Sequence, residues 1–207
     1  MDAAAERGAV GNGGGIAMFL ICGCDPGLDG ALAFLDEDTL RIDAIISMPA
    51  MKLGKGKGAK REISARMLKI EIDREIISLG LIVRCVYMER VQSSPQMGVA
   101  SAFKFGRGYG TVEGVIAALG WPIEYVTPPK WKKAMGVPAE KDDARERANQ
   151  LLAPDADLWT PKRLVMTTEQ ASGRAEAALI ALYGARDLAA FWGARKSAPA
   201  DLFAEAV

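Results

Sequence analysis

The chain alternates between short apolar runs and polar turns. Residues 17–24 (AMFLICGC) form an apolar run of strand length that stops at Asp25-Pro26-Gly27. Proline and glycine interrupt a sheet ladder, so Asp25 is placed at the strand's tip. Residues 30–35 (GALAFL) and 41–47 (RIDAIIS) read as two further strands, with Asp36-Glu37-Asp38 as the turn between them. Connections this short predict an antiparallel meander. Over residues 62–79, Ile63, Met67, Ile70 and Ile77 recur at helical spacing, and Gly80 is placed to end that helix. Residues 81–88 (LIVRCVYM) make another strand, with Glu89 at its end.

The second half is more helical. Residues 96–119 predict a helix interrupted at 105–110 (FGRGYG), where each glycine costs about 1 kcal/mol against alanine. A kink, or close approach of a backbone or ligand, would account for them. Residues 121–126 (WPIEYV) are a short strand stopped by Thr127-Pro128-Pro129. Residues 130–135 (KWKKAM) read as a short basic helix, 141–152 as a charged one, and 155–172 as an irregular loop. In the last helix, residues 173–188, Ala175, Leu179, Leu182 and Ala189 line one face and Glu176 sits in the first turn. The order βββαβαβα predicts an α/β class, a mixed five-stranded sheet flanked by helices. One domain over residues 17–190 is expected, between a flexible tail at 1–16 and a second tail at 191–207.

Composition narrows the chemistry. The 207 residues carry 26 Lys+Arg against 26 Asp+Glu and no histidine. Histidine-dependent triads and histidine-bearing zinc sites are therefore excluded, and carboxylates must do most of any hydrolysis. A balanced net charge gives no global signal for nucleic acid, so a polyanion site has to come from local clustering. Cys22, Cys24 and Cys85 lie in apolar runs, as buried reduced thiols do. Residues 1–15 lack the basic start and apolar core of a signal peptide, and the apolar stretch 16–22 is too short to span a bilayer. A cytoplasmic protein without a membrane segment is the expectation.

Asp25 and Glu89 share a position type, a carboxylate at the end of an apolar strand, and Glu176 adds a third. Buried carboxylates are costly unless compensated, and a divalent cation with oxygen ligands would compensate them. Taken singly, each has a blander reading: a turn residue, a surface pair, a helix-dipole partner. The segment 51–61 (MKLGKGKGAKR) holds Lys52, Lys55, Lys57, Lys60 and Arg61 with no acid, and reads as a mobile basic loop. Lys130, Lys132 and Lys133 surround Trp131, and Lys141 opens the next helix. Basic residues beside glycines and an aromatic are what contact with a phosphate backbone requires.

In order along the chain stand Cys24-Asp25-Pro26-Gly27, Tyr87-Met88-Glu89, residues 126–132 (VTPPKWK), Glu140-Lys141-Asp142-Asp143 and Gly173-Arg174-Ala175-Glu176-Ala177. Over residues 18–188 this set resembles the RuvC-type Holliday-junction resolvases, and most of all their phage- and chloroplast-like branch. The resemblance implies an RNase H-like fold, a homodimer, and Mg²⁺-dependent symmetric nicking of four-way DNA junctions that leaves 5′-phosphates. Mn²⁺ would substitute for Mg²⁺, and two ions per site are implied. Asp25, Glu89 and Glu176 would be the metal-binding carboxylates, and Lys141 the lysine near the scissile phosphate. Arg174 joins the lysines and Arg61 as a DNA contact.

Two positions depart from the family pattern. Where members carry an aspartate shortly before the last carboxylate, residues 167–173 read TTEQASG, leaving Glu169 as the nearest acid. Gln92 and Ser93 stand where many bacterial members have an aromatic residue. A branched-DNA-binding protein with weakened chemistry, or an RNase H-like nuclease acting on hybrids or flaps, are the alternative readings. Residues 96–119 are the candidate dimer interface, since glycines permit close helix contact.

Overall fold

The computed structural model describes residues 18–54, 60–92, 96–138, 143–161 and 165–197. The strands are β1 (Phe19–Cys24), β2 (Ala31–Asp36), β3 (Ile42–Ser47), β4 (Ala50–Leu53), β5 (Lys60–Ile63), β6 (Ile82–Glu89) and β7 (Ile123–Val126). The α-helices are α1 (Ala65–Ile72), α2 (Val99–Ala118), α3 (Pro128–Met135), α4 (Asp143–Leu151) and α5 (Thr168–Ser197). The mixed five-stranded sheet has the order β3-β2-β1-β6-β7. The first three strands form the expected antiparallel meander, while β6 runs parallel to β1 and β7 parallel to β6.

β1 is central and covered on both faces, which explains its unbroken apolar run. Leu20, Cys22 and Cys24 pack with Leu68, Ile72 and Ile116 beneath α1 and α2. Ile21, with Ala31 and Ala33 of β2, faces α5 and Trp131 on the other side. Small residues let α5 lie close to the sheet. A Cβ at Gly23 would overlap the Ala177 carbonyl oxygen and the Ala181 backbone, and one at Gly184 would overlap the Tyr87 ring. The three cysteines are free and buried, as their apolar settings predict. Burial pushes each thiol pKa up, that of Cys85 to about 11.

Several local expectations are corrected. The basic segment is no loop throughout: β4 and β5 pair as a hairpin, with Lys52 opposite Arg61 and Leu53 opposite Lys60. Ile63 belongs to β5, not to the helix, which starts with Ser64 as its cap; the Met67 amide donates to Ser64 Oγ at 3.3 Å. The buried face of that helix is Leu68, Ile72 and Ile76, whereas Met67, Ile70 and Ile77 are 37%, 42% and 45% exposed. Both sets have helical spacing, and only the sheet above decides between them. A π-helical turn, Asp73–Ile77, follows α1 before Gly80, at φ 69°, reverses the chain.

α2 is continuous through all its glycines. Pro128 and Pro129 do more than stop β7: they form the first turn of α3, where a missing amide proton costs nothing. Of residues 155–172, the first part belongs to a 3-10 helix (Ala153–Trp159) and the last to α5. Glu176 is therefore in the third turn of its helix and does not sit against the helix N-terminus. α5 also continues to Ser197, past the expected tail boundary at 191, and Ala189 is exposed. The tail over residues 1–16 and residues 198–207 lie outside the described residues.

Candidate active site

Asp25 and Glu89 come together because their strands are neighbours in parallel register. Cys24 pairs with Met88, so the two carboxylates that follow leave the sheet at the same edge. The turn after β1 is tied down locally: the Gly27 amide donates to Asp25 Oδ1 at 3.0 Å, and the Gly30 amide to the Gly27 carbonyl at 3.0 Å. A Cβ on Gly30 would overlap the Asp25 carbonyl and crowd its carboxylate. Gly30 is thus what gives the Asp25 side chain its room.

Glu89 is almost fully buried and is held by Trp131, whose indole Nε1 donates to Oε1 at 2.8 Å. The Glu176 carboxylate reaches the same region from α5 and accepts from Lys132 Nζ at 3.1 Å. α5 can approach because Gly173 has no side chain; a Cβ there would overlap the Asp29 carbonyl. A cavity of about 650 Å³ opens in front, lined by Asp25, Asp29, Lys132, Glu169, Ser172 and Glu176 among others. Glu169 precedes Glu176 by two helical turns on α5, which puts both on one face.

The electrostatics are those of crowded acids. The Asp25 carboxyl is pushed up from 3.8 to about 7, by burial first and then by the charges of Glu176 and Glu89, against the Gly27 amide and Lys132. Burial also raises Glu89, helped by the charge of Glu176 and opposed by the Trp131 bond and Lys132. Lys132 is the common counter-charge. Among the described residues, no three Asp, Glu, Cys or His side chains are drawn close enough to enclose a metal ion. The donor chemistry nonetheless suits one: the converging groups are all carboxylates, the hard ligands that a Mg²⁺-type cation takes. The charge strain on Asp25 is what such a cation would relieve.

The remaining candidates fall in different places. Lys52 and Lys60 are exposed on the β4–β5 hairpin, while Arg61 pairs with Asp29 at 2.8 Å. Lys133 is exposed on α3; Lys130 turns away from the cavity, over the Tyr183 ring at 5.8 Å. Arg174 is a brace: its guanidinium donates to Ser47 Oγ and the Leu158 carbonyl, each at 2.8 Å. Lys55, Lys57, Ser93 and Lys141 lie outside the described residues. Sequence reasoning missed Trp131 as the partner of Glu89, Asp29 as a wall of the cavity, and Lys132 as an ion-pair partner inside it. The visible signal was a Trp-Lys pair one turn past the strand that flanks Glu89.

No known family profile matches the chain, and no curated protein sequence matches it. Its backbone does match solved structures. RuvC from T. thermophilus, in complex with a Holliday junction substrate, is 16% identical over 82% of this chain and 96% of that one, with a TM-score of 0.50. The yeast mitochondrial Holliday junction resolvase Ydc2 is 13% identical over 87% of this chain and 83% of that one, with a TM-score of 0.53. This is the RuvC fold. Within that RNase H-like arrangement, Asp25 and Glu89 occupy the ends of the central parallel strand pair, and Glu176 the helix packed across them. Among the described residues, no helix of this RuvC-fold chain is long and apolar enough to cross a membrane.

Proposed function

We propose that the protein is a Holliday-junction resolvase, an endodeoxyribonuclease that nicks four-way DNA junctions symmetrically by cation-dependent phosphodiester hydrolysis. The observation that carries this is the convergence of Asp25, Glu89 and Glu176 beside Lys132, in a fold shared with two structurally characterised resolvases. Asp25, Glu89 and Glu176 would hold Mg²⁺ or Mn²⁺, with Glu169 as the additional carboxylate. Such a cation, when bound, polarises a phosphodiester and lowers the pKa of an attacking water.

The chain's own groups do the rest. Trp131 fixes one oxygen of Glu89, and the Gly27 amide fixes Asp25, so neither carboxylate has to be ordered during the reaction. Lys132 neutralises the acids before substrate arrives and can then turn its ammonium to a phosphate oxygen. Lys52, Lys60 and Lys133, exposed on the hairpin and α3, supply further cations for the DNA arms.

Two coordinated cuts in a two-fold symmetric junction call for two such sites. α2 supplies a surface for that pairing: Val99 is 88% and Phe103 70% exposed. Gly106, Gly110 and Gly114 continue the same stripe with open space where a Cβ would stand. The test is nicking of a synthetic four-way junction with Mg²⁺, beside linear duplex and RNA–DNA hybrid, using wild type and Asp25→Asn. Paired symmetric cuts in the junction alone, lost in the variant, are expected. Equal cutting of duplex or hybrid would overturn the junction assignment. A monomer by sedimentation at micromolar concentration, with and without junction, would overturn the dimer.

A further inference from the structure

α3 brings two groups to the carboxylates, yet little within it fixes its own setting. It spans only Pro128–Met135, and its first two residues are prolines with no amide proton. Helices this short are marginal in water, so the angle of α3 about its axis has to be set by its surroundings. That angle matters, because Trp131 has to meet Glu89 and Lys132 has to meet Glu176 at the same time. The C-terminal end shows how it is held. Gly136, at φ 66°, turns the chain, and the Val137 amide donates back to the Lys132 carbonyl at 2.9 Å. The last carbonyls of a helix need partners from elsewhere, and for Met135 that partner is half-buried Arg147 of α4, whose Nε donates at 2.6 Å. Arg147 Nη1 donates to Gln150 Oε1 at 2.8 Å, which fixes the guanidinium on its own helix. A Cβ on Gly136 would stand 3.2 Å from Arg147 Nη2, so the guanidinium also packs over the turn. Val137, Pro138 and Ala144, on either side of this contact, line the carboxylate cavity.

We propose that Arg147 is a positioning residue for the carboxylate site: by capping α3 from α4 it sets the angle at which Trp131 and Lys132 meet Glu89 and Glu176. Its effect on catalysis rests on the reading of the chain as a junction nuclease. Arg147 acts through the backbone of α3, since its printed contacts are the Met135 carbonyl and Gln150. A cation suits that place, because the C-terminal end of a helix carries partial negative charge. A charge-assisted hydrogen bond is also shorter and stronger than a neutral one. The planar fork adds direction, with Nε on one helix and Nη1 on the other. The leverage is large: turning α3 by about 10° carries an atom about 5–6 Å from its axis through about 1 Å. That is enough to break the indole bond to Glu89, which weakens steeply with angle and distance. An arginine beside a DNA site invites a role as a phosphate contact, but two of its donors are already engaged within the protein.

The test compares Arg147→Met, which removes the donors and keeps the aliphatic stem, with Arg147→Lys, which keeps the charge and one donor. Isotope-labelled tryptophan gives one indole N–H resonance per ring, and that of Trp131 is assigned by its absence in Trp131→Phe. In the folded, cation-free Arg147→Met protein the Trp131 resonance should move toward that of a free indole. It should stay near the parental position in Arg147→Lys, and Trp121 should not move in either. Nicking of a four-way junction with Mg²⁺ by Arg147→Met should lose about ten- to a hundredfold in kcat, with KM for the junction unchanged. A Trp131 resonance that stays in place would overturn the proposal and leave the resolvase reading standing. A displaced resonance with unchanged kcat would also overturn it. So would a raised KM with unchanged kcat and a flatter salt dependence, which would make Arg147 a phosphate contact. Should Arg147→Met fail to fold, Gln150→Ala releases the guanidinium from an exposed position, and an unmoved Trp131 resonance there is equally adverse. A parent protein that does not nick the junction would overturn the resolvase reading, while the resonance still decides whether Arg147 places Trp131.

Discussion

Neutralising Asp25 should make the cation-free protein more stable, although the residue is the centre of the proposed chemistry. The fold holds the Asp25 carboxyl at about 7 against an ordinary 3.8, mainly through burial and then through Glu176 and Glu89. At about 1.36 kcal/mol per pKa unit this corresponds to about 4 kcal/mol of penalty on the ionised form. The cavity is open to solvent on one side, and relaxation there leaves about 2 kcal/mol as the expected effect. An asparagine at this position would still accept the Gly27 amide through its side-chain oxygen, so Asp25→Asn removes the charge and little else. For a chain of this size, about 2 kcal/mol raises the melting temperature by roughly 4–8 °C.

The sign can be followed with pH. Because the folded-state pKa is raised, the native protein holds more protons than the unfolded chain between about pH 4 and 7. Stability attributable to Asp25 is therefore complete below about pH 4 and is lost as pH rises through about 7. Thermal unfolding of wild type and Asp25→Asn by circular dichroism, with chelator, should show the variant several degrees higher at about pH 8. The difference should vanish near pH 4. Saturating Mg²⁺ should narrow it again at about pH 8, since ligand binding stabilises only the form that binds. A variant that melts below wild type under those alkaline conditions, or an offset that is independent of pH, would refute the reasoning.

Four further variants test the same region. Lys132→Met removes the common counter-charge of Asp25, Glu89 and Glu176. It should lower the cation-free stability at about pH 8, by at most about 1 kcal/mol for a part-exposed pair, and enlarge the rise in melting temperature produced by Mg²⁺. Trp131→Phe leaves Glu89 Oε1 without its indole donor. It should cost about 2–4 kcal/mol in urea unfolding and move the acidic limb of the nicking pH profile upward, because the Trp131 bond holds the Glu89 pKa down. Ser172→Asp adds a carboxylate to the cavity lining and should tighten Mg²⁺ binding by calorimetry. Gly173→Asp should instead unfold the protein at ordinary temperature, since its Cβ overlaps the Asp29 backbone.

The three-stranded meander, the strand ending at Glu89 and the placement of Asp25 just past β1 were legible because they depend on local pattern: apolar runs of strand length, cut by Asp-Pro-Gly or by acidic turns. The face of α1 was not. Met67, Ile70 and Ile77 satisfy the same spacing as Leu68, Ile72 and Ile76, and only the sheet determines which set is covered. The glycines of α2 predict an interruption because propensity penalises each one locally, whereas the packing of Val112 and Ile116 holds the helix together across them. α5 began earlier than its apolar pattern because Thr168, Glu169 and Ser172 line the cavity, where no apolar residue is called for.

The candidate site divides in the same way. The sequence by itself determined that carboxylates must carry the chemistry, having no histidine to offer, and it set Asp25 and Glu89 at strand ends. Tertiary structure decided that those ends lie side by side, that Trp131 and Lys132 turn inward while Lys130 turns away, and that Arg174 braces β3. It also gave Gly173 its meaning: seen along the chain it is a missing aspartate, and in the fold it is the contact that lets α5 reach the Asp25 loop. The physical reason is one of range. Strand and turn formation follow from neighbours a few residues apart, but the direction of a side chain and the energy of its charge depend on groups that only the packed fold brings near.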